Sequence, residues 1–162
     1  MEEHFRRTLG KIVADLSTDP GVTALVFFGS VQRAEGKPDS DLDFFVVTTG
    51  REYWRSARQV DGAAAELFHN PVPKMYQMLE NEDQISLHAL VTGELLLDRA
   101  GEGQRLVDLA RTMWAAGPRP LTPEAATRWR YCITALASDI AGLDAASPAA
   151  RLVAGRLVPL TL

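Results

Sequence analysis

Phe5, Leu9, Ile12, Val13 and Leu16 recur at intervals of three and four positions, so residues 2–16 predict an amphipathic helix, broken by Asp19-Pro20-Gly21. Residues 22–28 follow as a short apolar run rich in β-branched and aromatic side chains, which predicts a buried strand, closed abruptly by Gly29-Ser30. A polar stretch over 32–40, punctuated by Gly36 and Pro38, leads into a second strand over 41–48. A short helix is expected around Glu52. Asp61-Gly62 is the dipeptide of a two-residue hairpin turn, here between runs 55–60 and 63–69, and the strand after the turn carries Glu66. From Pro71 onward the period becomes helical: 73–81, 83–92 ending at Gly93, 102–116, and 124–143 entered through Thr122 as cap and Pro123 as first helical residue. A short strand is expected at 94–98 and a last helix from 148 to about 158. Strands mixed with helices, then helices alone, predict an α/β (α+β) protein. Its small mixed sheet would carry helical cover, with a core over 1–116 and a C-terminal helical segment over 117–162.

At 162 residues the chain suits one domain able to bury about two-thirds of its unfolded surface, so no disulfide or structural metal is required. The single cysteine, Cys132, excludes an internal disulfide framework and every multi-cysteine zinc site, and its helical setting predicts a buried, inert thiol. No apolar run approaches the ~20 residues that cross a bilayer, and the charged start has no signal-peptide pattern, which together predict a cytoplasmic protein without a membrane partner. A formal charge of −4 with no basic block offers no general attraction for nucleic acid. If phosphates are handled here, metal ions or a small local cluster must neutralise them.

One segment could do so. In an extended strand Asp41 and Asp43 point to one face about 6.6 Å apart, and carboxylates so placed can share hard divalent cations such as magnesium together with water and phosphate oxygens. Glu66, an acid between Ala65 and Leu67 in an otherwise apolar strand, is the preferred third carboxylate. Asp61 competes with it but already has a turn role beside Gly62. Gly29-Ser30, at a strand end, provides backbone N–H groups and a hydroxyl that can hold triphosphate oxygens at close approach, with Arg33 and Lys37 as the nearest cations for the pyrophosphate.

Gly-Ser, ten residues, then Asp-x-Asp followed by apolar positions resembles the signature of the polymerase-beta-like nucleotidyltransferase superfamily; here it is Gly29-Ser30, residues 31–40 and Asp41-Leu42-Asp43. The stretch from Ser30 through Arg33, Pro38, Asp39 and Ser40 to Asp41 also resembles small bacterial nucleotidyltransferases of the minimal antitoxin and antibiotic-modifying types, with Ala34 where a glycine usually follows the arginine. The resemblance is good over 22–70 and extends more weakly to 116. It implies a twisted mixed sheet of the nucleotidyltransferase type, Asp41, Asp43 and Glu66 as catalytic metal ligands, and Gly29 and Ser30 on the nucleotide. It further implies two magnesium ions, with manganese as substitute, and ATP or another nucleoside triphosphate as donor. The reaction would transfer a nucleoside monophosphate to an acceptor hydroxyl and release pyrophosphate. The acceptor would be a small molecule such as an aminoglycoside-like antibiotic, or, for an antitoxin-type protein, a partner toxin. A fold-retaining inactive relative is the third reading.

Other motifs carry less. Gly29 and Gly36-Lys37 imitate a Walker loop, but two residues too many separate the glycines and Pro38 stands where Ser or Thr should follow. Gly101-x-Gly103 lacks the third glycine of a dinucleotide fingerprint. His4, His69 and His88 have no ligand spacing and read first as surface or packing residues; His69, which closes the Glu66 strand, is the one of the three that could lie near the site. Trp54, Trp114 and Trp129 are read as packing residues in helical or near-helical context. The apolar stretch 152–162 predicts either pairing with another chain, as a homodimer or a complex with a partner protein, or a helical segment cut short relative to relatives that continue into a larger helical domain.

Overall fold

The two apolar runs expected as strands, β1 (Val22–Phe28) and β2 (Leu42–Thr48), pair antiparallel near the middle of a five-stranded mixed sheet. The computed structural model describes residues 2–144 together with 147, 148, 152 and 154. Two units are distinguished, residues 1–118 and 119–162.

The first unit contains the sheet. Asp61 and Gly62, both at positive φ (49° and 85°), join β3 (Trp54–Val60) to β4 (Ala63–Pro71) in a tight hairpin in which Val60 faces Ala63. β4 does not stop beside its hairpin partner. It also pairs in parallel with β2, so the spatial order is β3-β4-β2-β1-β5, with β5 (Glu94–Asp98) antiparallel to β1 on the far edge.

Helix α1 (Glu3–Thr18) covers one face, where Phe5, Ile12 and Leu16 pack with Leu25, Phe27, Phe44, Val46 and Leu67. On the other face Met75 and Leu79 of α3 (Val72–Glu80), Leu90 of α4 (Gln84–Thr92) and Leu106 and Ala110 of α5 (Glu102–Ala116) pack against Val26, Phe45 and Val47. Central strands buried on both sides need apolar residues at successive positions, which explains why β1 and β2 read as continuous runs rather than alternating ones. A single helical turn, α2 (Gly29–Gln32), leaves the end of β1.

The second unit contains α6 (Pro123–Ala141), whose Thr122 side chain accepts the Ala125 N–H at 3.2 Å and whose first residue is the expected proline. None of the described residues of α6 is fully buried.

The helix expected around Glu52 does not form. Only residues 49–53 connect β2 to β3, too few to form and pack a helix, and Trp54 accordingly lies on a strand. The helix expected from 148 and the apolar stretch 152–162 lie largely outside the described residues. No helix among the described residues is long and apolar enough to cross a membrane.

Leu67 is fully buried on β4, adjacent in sequence to Glu66. Replacing it with alanine should lower the stability of the unit by about 2–5 kcal/mol, read as a lower midpoint at unchanged slope in urea unfolding.

Candidate active site

The pairing register builds the site. β2 and β4 run parallel with Asp43 opposite Glu66, while the antiparallel β1 places Phe28 opposite Asp43 and so brings Gly29 to the same spot. Asp41 precedes β2 by one residue and joins them: one carboxylate oxygen from each of Asp41, Asp43 and Glu66 lies within 4.8 Å of the others, and all three side chains are half-buried.

Glycine is required at position 29. A Cβ there would lie 2.1 Å from Asp43 Oδ2, and the backbone has φ of +87°, a conformation L side chains rarely adopt. The carboxylate of Asp43 thus rests on the bare backbone at the start of α2, with Ser30 next in the turn.

Three acids so close disfavour simultaneous ionisation. Burial, then Asp41 and Glu66, raise the Asp43 carboxyl from 3.8 to about 6; Arg55 and Arg33 pull the other way without cancelling the rise. Hard oxygen donors crowded to the point of mutual repulsion suit a small divalent cation, and the donor set matches what magnesium or manganese takes alongside water and phosphate oxygens. Asp41, Asp43 and Glu66 could therefore hold a metal.

The cations are distributed unevenly. Arg33 is close enough to act on Asp43, but its Nε donates to Glu35 at 2.9 Å. The Lys37 side chain is exposed; its backbone N–H donates to Ser40 Oγ at 2.9 Å, closing the loop before Asp41. Asp61 is not in the cluster, and its carboxylate instead accepts from Lys11 of α1 at 2.8 Å.

Sequence reasoning missed Arg55, whose guanidinium donates to Glu66 at 2.5 Å and lies 4.5 Å over the Phe68 ring. The signal was available. A two-residue turn at Asp61-Gly62 sets Arg55 opposite Phe68 and therefore diagonal to Glu66 on the same face.

His69 is a correction. Side chains alternate along a strand, so His69 faces away from Glu66, toward the α1 side of the sheet. There it is buried, stacked on Trp54 at 3.4 Å between ring centroids, with Nε2 3.2 Å from Ser56 Oγ. Burial and Arg58 hold its pKa down to about 4, so the ring is neutral. The three tryptophans are not core residues either: Trp54 and Trp114 are about half exposed and Trp129 is exposed at 37%. Cys132 on α6 is half-buried rather than enclosed. A cleft of about 690 Å³, lined in part by Arg51, Tyr53, Lys74 and Tyr76, sits at the opposite ends of β2 and β4 and contains none of the three carboxylates.

The family model Polymerase beta, Nucleotidyltransferase matches residues 10–102, a span that includes the glycine-serine turn and all three acids. Among solved structures the fold is similar to that of a nucleotidyltransferase-like protein from Exiguobacterium sibiricum 255-15, with a TM-score of 0.55 and 13% identity over 66% of this chain. The match spans 38% of that relative's chain. No curated protein matches the chain in sequence.

The raised Asp43 carboxyl has a consequence for stability. In metal-free protein the folded chain holds the Asp43 proton up to about pH 6, whereas the unfolded chain releases it near 3.8, so this group lowers stability as pH rises through that window. Asp43→Asn should therefore melt at a higher temperature than wild type at pH 7.5 in chelator, with the difference fading toward pH 4. Added magnesium should raise the melting temperature of wild type and not that of the variant. Calorimetry over the pH series checks both.

Proposed function

The chain belongs to the polymerase beta nucleotidyltransferase family, and from that membership we propose that it moves a nucleoside monophosphate from a nucleoside triphosphate to an acceptor hydroxyl, releasing pyrophosphate. The observation that carries this reading is the convergence of Asp41, Asp43 and Glu66 beside the Gly29-Ser30 turn. The proposed catalytic core is 1–116, with 117–162 as an accessory helical segment, acting in the bacterial cytoplasm.

In this reading Asp41, Asp43 and Glu66 are the metal ligands. When bound, two magnesium or manganese ions would neutralise the phosphates and acidify the acceptor hydroxyl. The Gly29 backbone, free of a Cβ, and the Ser30 N–H and hydroxyl hold triphosphate oxygens; Arg33, once released from Glu35, and Lys37 meet the pyrophosphate charge. The acceptor oxygen bonds to the α-phosphorus as the bond from that phosphorus to the α–β bridging oxygen breaks, the electron pair leaving on pyrophosphate, and the acceptor's proton passes to Glu66. The protein's part is placement and charge compensation, the usual division of labour in phosphoryl-group chemistry.

ATP or another nucleoside triphosphate serves as donor, and the acceptor is a small polyhydroxylated molecule of the aminoglycoside-like kind. A second reading, an antitoxin-type regulator that binds and nucleotidylates a partner protein, is favoured by the second unit, where Leu121, Trp129 and Tyr131 are exposed and α6 buries none of its described residues. That surface also supports a homodimer or a hetero-complex.

Incubation with each labelled nucleoside triphosphate, magnesium and an acceptor panel should give label transfer by wild type. The same mixture with Asp43→Ala should lose about a thousandfold or more in rate, and chelation should abolish transfer in wild type. Equal labelling by both proteins would exclude the proposed role of Asp43.

A further inference from the structure

The three carboxylates do not start from the same state. Among the described residues, Glu66 alone of the triad is joined to a cation in an ion pair, with the Arg55 guanidinium at 2.5 Å, while Asp43 feels Arg55 and Arg33 only at a distance. Arg55 stands on β3, an edge strand, with its side chain about half exposed, and its planar head rests on Phe68. A guanidinium there is well placed to hold a carboxylate and is little hindered from leaving it, because its alternative partner is water.

Resting on the metal-dependent reading above, we propose that Arg55 is a built-in counter-cation for Glu66 that competes with the divalent ion for this carboxylate. Metal-free protein is relieved of part of its acid–acid repulsion by Arg55, and a divalent ion that takes Glu66 must displace that guanidinium or bind beside a positive charge. Either way the resident charge weakens metal binding in the absence of nucleotide. A triphosphate changes the balance, because its negative charge gives the guanidinium a second anionic partner and draws it off Glu66. Metal loading at the third ligand is thereby coupled to arrival of the substrate, as linkage requires when two ligands share one charged group.

This differs from a role in which Arg55 only positions Glu66. A positioning arginine strengthens metal binding, so its loss weakens it; a competing arginine has the opposite sign.

The test is a manganese titration of nucleotide-free protein, followed by electron paramagnetic resonance of free Mn²⁺. Arg55→Gln removes the charge, and Arg55→Met removes the charge while keeping an apolar stem over Phe68, so one of the two serves if the other folds poorly by circular dichroism. Both should bind Mn²⁺ about tenfold more tightly than wild type at low salt, with the gain shrinking as ionic strength rises, and Arg55→Lys should stay near wild type. A non-hydrolysable triphosphate should tighten Mn²⁺ binding more in wild type than in Arg55→Gln. Unchanged or weaker binding by the neutral variants, with wild type binding normally, overturns the competition and leaves the metal reading standing. Absence of Mn²⁺ binding in every protein, with or without nucleotide, overturns both.

Discussion

The parallel pairing of β2 with β4, in the register that sets Asp43 opposite Glu66, is the constraint on which the rest of the site depends. Side chains alternate across a strand, so a slip of one residue would send Glu66 to the α1 face and leave Asp41 and Asp43 without a third acid. The register is held by burial: Leu42, Phe44, Ala65 and Leu67 fill one face of the two strands, while Phe45 is buried on the other beside the partly buried Phe68. A slip would exchange Leu67 with Glu66 and bury a charge in an apolar layer, which costs far more than any hydrogen bond it could gain. The same packing that stabilises the sheet therefore also fixes the geometry of the acid triad.

The site is held against its own electrostatics. Burial and two neighbouring carboxylates push Asp43 up to about 6, and Gly29 gives up a Cβ so that this carboxylate can lie against bare backbone. A domain selected for stability alone would place neither an acid triad nor a left-handed residue here. Local cost at a functional centre, carried by a well-packed support, is the expected pattern. Under the proposed function it also accounts for how a chain of overall charge −4 would handle phosphates: the attraction would be supplied at the site by cations.

Much of this was legible in the chain. The Asp61-Gly62 turn fixed the β3–β4 hairpin, two-sided burial showed in the unbroken apolar runs of β1 and β2, and Thr122-Pro123 marked the start of α6. The spacing from Gly29-Ser30 to Asp41-Leu42-Asp43 identified the family that residues 10–102 match. What local pattern could not supply was sheet order. That β4 inserts between β3 and β2, and so brings Glu66 to Asp43, is set by long-range packing that leaves no periodic trace. The face of His69 follows from strand alternation counted from Glu66, and Arg55 follows from the turn register; both were open to a strand-by-strand count. The exposure of Trp54, Trp114 and Trp129 was not, because large aromatic residues occur at surfaces as well as in cores.

The hairpin explains why Arg55 and Glu66 form a pair rather than a chance surface contact. Both sit on the two strands of one hairpin, whose separation is set by the turn and the ladder. Asp41 and Asp43 belong to a different segment, which enters from the loop closed by Lys37 and Ser40. Of the two only Asp41 lies ahead of β2; Asp43 is laddered to Glu66 of β4, so its backbone position is tied to that of the Arg55–Glu66 pair. In the proposed competition, exchange of Glu66 between guanidinium and metal needs only rotation of an exposed arginine side chain, a nanosecond-scale event, and no rearrangement of the sheet. Under that proposal charge compensation at this site responds to a ligand while the backbone that aligns the acids stays fixed.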